Sequence, residues 1–167
     1  IYEGIKTEKN LFRNIAGHFF DGKADLEIVT LPADGNLYML WERMKADDFE
    51  TDVLSVLREM SREASEQLKD YDRNDFSEVY LFFDYDGHNN NVPKSLQGQD
   101  ALQEMLATFD NETELGKLYI SYPMIESINE ISIERRDYVR LYLPLSECGE
   151  YKENVGGKSD YGDYRKI

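Results

Sequence analysis

The apolar positions along the chain fall into alternating helical and extended patterns. Behind Thr7, the expected N-cap, Leu11, Phe12, Ile15, Ala16, Phe19 and Phe20 recur at helical spacing and predict a helix that buries one stripe. Asp21-Gly22 ends it. Leu26, Ile28, Val29 and Leu31 form a short apolar run before Pro32, so a strand is expected there, with Asp34-Gly35-Asn36 as the turn that follows. Leu37, Leu40, Trp41 and Met44 predict a second helix, and Thr51 or Asp52 is positioned to cap a third carrying Val53, Leu57, Met60, Ala64 and Leu68. Val79 to Phe83 is a continuous apolar and aromatic run, the pattern of a central strand buried on both faces of a parallel sheet. Leu102, Met105, Leu106 and Phe109 predict a further helix, and Leu118 to Tyr122 a further strand. The opening residues read as the end of a first strand whose start lies upstream. Strands alternating with helices imply an α/β fold with a mostly parallel sheet and right-handed crossovers. Residues 1–148 are read as one domain and 149–167, rich in Gly, Tyr, Asp and Lys without a period, as an irregular tail.

Composition agrees with a folded chain and narrows its partners. With 167 residues, 41% hydrophobic and 13% aromatic, there is enough apolar material for one core. Thirty-four acidic against nineteen basic residues give a formal charge of −15, the wrong sign for holding a polyanion through a basic face. A nucleic acid would have to be met locally, through metal ions or a partner's charges. The lone Cys148 forms no internal disulfide, the apolar runs are far short of a membrane span, and the first residues do not read as a signal peptide. A reducing, cytoplasmic setting without membrane contact is expected.

Two acidic motifs fall where an α/β sheet binds its ligands, at the carboxyl ends of the strands. One is Tyr2-Glu3-Gly4, and the other Phe83-Asp84-Tyr85-Asp86-Gly87-His88. Carboxylates on alternate residues diverge along a strand, but where the chain turns at Gly87 both Asp84 and Asp86 are able to approach a common ion. Hard oxygen donors of this kind suit Mg²⁺, which keeps several waters and uses one or two carboxylates. Glu3 would supply a third. An ion so held neutralises charge on a phosphoryl oxygen, activates water and orients the attack, which points to phosphoryl chemistry.

The Glu after the first strand and the Asp-x-Asp after a later one resemble the two signatures of the Toprim family, which is shared by topoisomerases, bacterial primases, recombination proteins and nucleases of the overcoming-lysogenisation-defect class. Glu3-Gly4-Ile5-Lys6-Thr7-Glu8 is similar to the Glu-Gly-x-x-Thr-Glu opening of stand-alone RloB-like Toprim proteins of phage-defence loci. Tyr122-Pro123-Met124-Ile125-Glu126 resembles that group's Asn-Pro segment and following Glu, with Tyr in place of Asn. The resemblance spans roughly residues 1–130. It implies a Rossmann-like sheet flanked by helices and a helical insertion at about residues 45–75 that is available to a substrate or partner. It implies Asp84 and Asp86 as ligands of Mg²⁺ or Mn²⁺, Glu3 as general acid or base or ligand of a second ion, and Glu8 and Glu126 in support. The activity implied is metal-dependent cleavage of nucleic acid phosphodiesters, DNA being the first expectation, with a protein partner from a defence system.

Other readings compete for the same residues. Phe83-Asp84-Tyr85-Asp86-Gly87 imitates the nucleophile loop of haloacid dehalogenase-type phosphatases, but there the loop follows the first strand and continues with Thr or Val, where this chain has His88. A Toprim-like module that binds a nucleotide or partner without turnover is the other alternative. No Gly-x-x-x-x-Gly-Lys-Ser/Thr loop occurs, and the stretch from Asp84 has the wrong glycine spacing for an EF-hand. His88 and Lys117 are candidates for phosphate contacts, although each also fits a solvated surface, and His18 is expected to be structural. The twelve tyrosines are read as packing rather than as covalent nucleophiles.

Overall fold

The computed structural model describes residues 1–3, 7–20, 22–31, 36–85, 101–122, 124–130, 142–147 and 150–151. Helix α1 (Thr7–Ile15) continues into a π-helical turn over Ala16–Phe20. It buries Leu11, but Phe19 and Phe20 are exposed, so the expected apolar stripe ends a turn early. His18 is exposed as well, edge-on to Phe19, and is not a core residue. Gly22, at φ +66°, takes the left-handed turn beyond Phe20, where glycine carries no side-chain penalty.

Helix α2 (Leu37–Ala46) starts at Asn36, whose side-chain oxygen accepts the Met39 amide at 3.0 Å. Its spacing of Leu37, Leu40, Trp41 and Met44 is the buried face. The Lys45 ammonium lies 4.2 Å from the Trp41 ring centre and pairs with Glu104 at 3.2 Å, tying α2 to α5 (Ala101–Thr108). Asp52, rather than Thr51, caps α3 (Val53–Met60). The expected single helix through Leu68 is two: Ser61 is extended, its amide closes α3 on the Leu57 carbonyl, and its hydroxyl accepts the Ala64 amide at 3.2 Å to open α4 (Arg62–Gln67). A serine competes with the backbone in this way and favours caps over helix interiors. The Arg58 guanidinium then reaches the carbonyls of Leu68 and Tyr71 beyond α4.

The sheet is mixed and has three strands in the order β1 (Tyr80–Asp84), β3 (Gly116–Ser121), β2 (Asp110–Asn111). β1 and β3 run parallel with Phe82 opposite Tyr119 and Asp84 opposite Ser121, while β2 pairs antiparallel with β3. Beyond β1 two extended stretches touch through single parallel bridges, Tyr2 to Phe82 and Tyr2 to Thr30. The run from Leu26 is therefore no full strand: Leu26 is exposed, and only Val29 to Leu31 engage, through bonds from Tyr2 to Val29 and from Leu31 to Tyr2.

Leu81, Phe83 and Leu118 on one face of the sheet join Trp41, Met44, Leu57, Leu68, Met105 and Phe109 in one core. Contrary to the expectation for β1, its second face is not fully buried. Tyr80, Phe82 and Asp84 alternate with the core residues, and Phe82 stacks on Tyr119 at 5.3 Å and meets Phe12 of α1 at 4.7 Å. The helices within residues 45–75 contribute Val53, Val56, Leu57, Ala64 and Leu68 to the same core rather than standing apart from it. Among the described residues no helix is long and apolar enough to cross a membrane.

Candidate functional site

Asp84 is the last residue of β1, and Glu3 follows Tyr2, which is bridged to the neighbouring Phe82 in parallel. Two parallel segments thus deliver a carboxylate each to the same end of the sheet, where strand pairing stops and side chains open to solvent. Glu3 and Asp84 both line two small open hollows of about 270 and 200 Å³. Glu8, in the first turn of α1, lines the second together with Phe12, Phe82, Ser121 and Ile125. Asn36, Leu37 and Tyr38 at the start of α2 line the first, with Tyr85, Leu102 and Ile120.

Asp84 is oriented by a backbone donor. The Ile125 amide, at the start of a 3₁₀ turn over Ile125–Glu130, donates to Asp84 Oδ1 at 2.8 Å. Such a bond to a carboxylate is stronger than one between neutral groups and restricts the side chain to one rotation. The Tyr85 amide continues the ladder to the Ser121 carbonyl at 2.9 Å, so the chain on both sides of Asp84 is held. Next to Glu3, burial raises the Tyr2 hydroxyl pKa above its ordinary value, only partly offset by its approach to Thr30, so this phenol is neutral around pH 7.

The expected site residues divide into three groups. Glu3, Asp84 and Glu8 come together around the hollows. Glu126 lines neither: its side chain is only 2% exposed, although the neighbouring Ile125 amide holds Asp84. Asp86 and His88 lie outside the described residues, as does Cys148. Lys117, which was considered for phosphate, bonds the Asp110 carbonyl at 2.6 Å instead.

Oxygen donors alone suit a hard divalent cation, and Mg²⁺ takes few protein carboxylates and fills its shell with water, so Glu3 and Asp84 fit such an ion in kind. Among the described residues no three of His, Cys, Asp and Glu stand close enough together to hold an ion unaided. The three carboxylates share a hollow without converging to direct ligand distance of one point.

Sequence reasoning missed Asn36 and the Ile125 amide. Asn36 was readable only as part of a turn, yet an Asn directly before an apolar helical run is also an N-cap signal, and N-caps of α/β folds face the strand ends. The role of a backbone amide carries no sequence signal. No family model matches this chain, and no curated protein or solved structure matches it either.

Proposed function

We propose that the cleft at the carboxyl end of β1 binds Mg²⁺ or Mn²⁺ and that the protein hydrolyses phosphodiester bonds of nucleic acid in the manner of a Toprim nuclease. The observation that supports this most is that Glu3 and Asp84, distant in sequence, line the same hollows at neighbouring strand ends, as the resemblance to Toprim proteins requires. The Rossmann-like parallel sheet belongs to the same proposal, with the extended stretches at Tyr2 and Val29–Leu31 as its further parallel members.

Asp84, fixed by the Ile125 amide, and Glu3 would hold the ion, and Asp86 is the further ligand that the resemblance implies. When bound, the ion supplies positive charge against the phosphoryl oxygens and makes a water a stronger nucleophile at neutral pH. Glu3 or Glu8 takes the proton of that water as its oxygen attacks phosphorus, the ester P–O bond breaks, and the departing oxygen is protonated from solvent or a neighbouring carboxyl. The acidic surface makes the ion the main local attraction for a phosphate.

The test is cleavage of plasmid and single-stranded DNA and of RNA with Mg²⁺ and Mn²⁺. Glu3→Gln and Asp84→Asn should each lower the rate by roughly 10²-fold or more, the scale on which losing a charge-stabilising or proton-transferring group acts. No aspartyl-phosphate should form. Monoester turnover with phosphate trapped on Asp84 would replace this reading by a phosphatase, and metal binding without cleavage of any substrate would replace it by a non-catalytic module.

A further inference from the structure

We infer that the ring cluster on the open face of the sheet, Tyr80, Phe82 and Tyr119, is a platform on which unpaired bases of a nucleic acid strand stack while a phosphate of that strand reaches Glu3 and Asp84. Single-stranded nucleic acid is then the substrate class. This use of the rings rests on the metal reading, because an ion is what draws a phosphate to that end of the sheet.

The three rings come from neighbouring strands and share one face. Tyr80, Phe82 and Asp84 alternate on β1 with the core residues Leu81 and Phe83, and Tyr119 stands opposite Phe82 on β3. Phe82 and Tyr119 lie nearly parallel, at 14° and 5.3 Å, and Tyr80 closes the cluster at 6.3 Å from Tyr119 and 6.5 Å from Phe82. Helix α1 meets the cluster through Phe12 on Phe82 but leaves Tyr119 46% and Tyr80 36% exposed. Exposed rings gathered on a sheet face suit single strands, since every unpaired base offers a π-face whatever its identity.

The place of the rings narrows the ligand further. Phe82 lines the hollow of Glu3, Glu8 and Asp84 while it stacks on Tyr119, so the cluster begins where the carboxylates gather. Tyr80 lies farther back on β1, about 13 Å from Asp84 at ~3.3 Å per residue. The Glu78 carboxylate that accepts the Tyr80 hydroxyl at 2.8 Å repels phosphate, so the rings take flat apolar faces and the ion takes the phosphate. A strand with unpaired bases carries both groups. A duplex keeps its base faces stacked inside and presents only phosphates to a chain of charge −15.

Tyr119 is the ring to change, because its exposure leaves the core untouched. Fluorescent strands of thymidines and of uridines with phosphorothioate links, which resist cleavage, are titrated with the full chain in Mn²⁺ and in EDTA and read by anisotropy, beside a duplex of the same length. Mn²⁺ alone is titrated by calorimetry. The wild type should bind at least one of the single strands about tenfold more tightly than the duplex, and Tyr119→Leu should lower that affinity about tenfold while Tyr119→Phe keeps it. Melting temperature and Mn²⁺ affinity should stay as in the wild type, and Tyr80→Leu repeats the test from the neighbouring strand. No single-strand binding by the wild type, equal affinity for strand and duplex, a Tyr119→Leu protein that binds as tightly as the wild type, or a Tyr119→Phe protein that loses as much as Tyr119→Leu overturns the platform. Failure to bind Mn²⁺ counts against the metal reading alone; a preference for single strands that persists in EDTA and depends on Tyr119 supports the platform without it.

Discussion

Gly116 stands where no side chain fits. At φ +119° a Cβ would meet the Leu81 Cδ1 at 2.8 Å and the Val79 Cγ1 at 3.4 Å, so Gly116 lets β3 close against β1 at the start of their parallel pairing. Gly116→Ala should lower stability by about 1–3 kcal/mol, through strained backbone and overpacking together. Urea unfolding checks it, with an earlier midpoint and an unchanged slope expected. Single residues were legible in the sequence to the extent that position on an element reveals role. Asp84 ends an apolar run and was readable as a strand-end carboxylate. Glu3 was readable from its place before Gly4, whereas the place of Asn36 beside it in a hollow was not, because that depends on how α2 packs against the sheet. Glu126 was carried over from a resemblance, and its burial sets it apart from the carboxylates that line the hollows.

Helices α2, α3 and α5 were readable from spacing alone, since their apolar positions face one core. Where spacing misled, a local bond or a neighbouring element decided. Ser61 offered its hydroxyl to the Ala64 amide and split one apolar pattern into two helices. The second face of β1 looked buried from its aromatics, but Tyr80 and Tyr119 remain accessible because large rings satisfy the apolar pattern while leaving an edge in water. Asp52 shows what a cap contributes: its carboxylate accepts the Leu54 amide at 2.9 Å, the Ser55 amide at 3.2 Å and the Ser55 hydroxyl at 2.6 Å. Asp52→Ala should cost about 1–2 kcal/mol in chemical denaturation. Because α3 lines neither hollow, metal affinity should stay as in the wild type.

The whole chain carries thirty-four acidic residues against nineteen basic ones, and at the end of its sheet Glu3, Glu8 and Asp84 share one hollow. Like charges gathered in a partly buried corner oppose folding, and a cation that binds there only in the native state offsets this by mass action. The α/β class and the meeting of Glu3 with Asp84 were both foreshadowed by the order of motifs along the chain. The width of the sheet was not, because bridges such as Tyr2 to Thr30 depend on long-range pairing that short apolar runs leave unspecified. The most direct test of the account is the melting temperature of wild type and Asp84→Asn, in EDTA and in saturating Mg²⁺. Asparagine keeps an oxygen for the Ile125 amide in a weaker, uncharged bond while relieving the repulsion from Glu3 and Glu8, so the variant should melt close to the wild type in EDTA. At about 100 times its dissociation constant Mg²⁺ should stabilise the wild type by about 2.7 kcal/mol and the variant far less. A wild type that gains nothing from Mg²⁺, or an Asp84→Asn protein that gains as much, would contradict a metal site at Glu3 and Asp84.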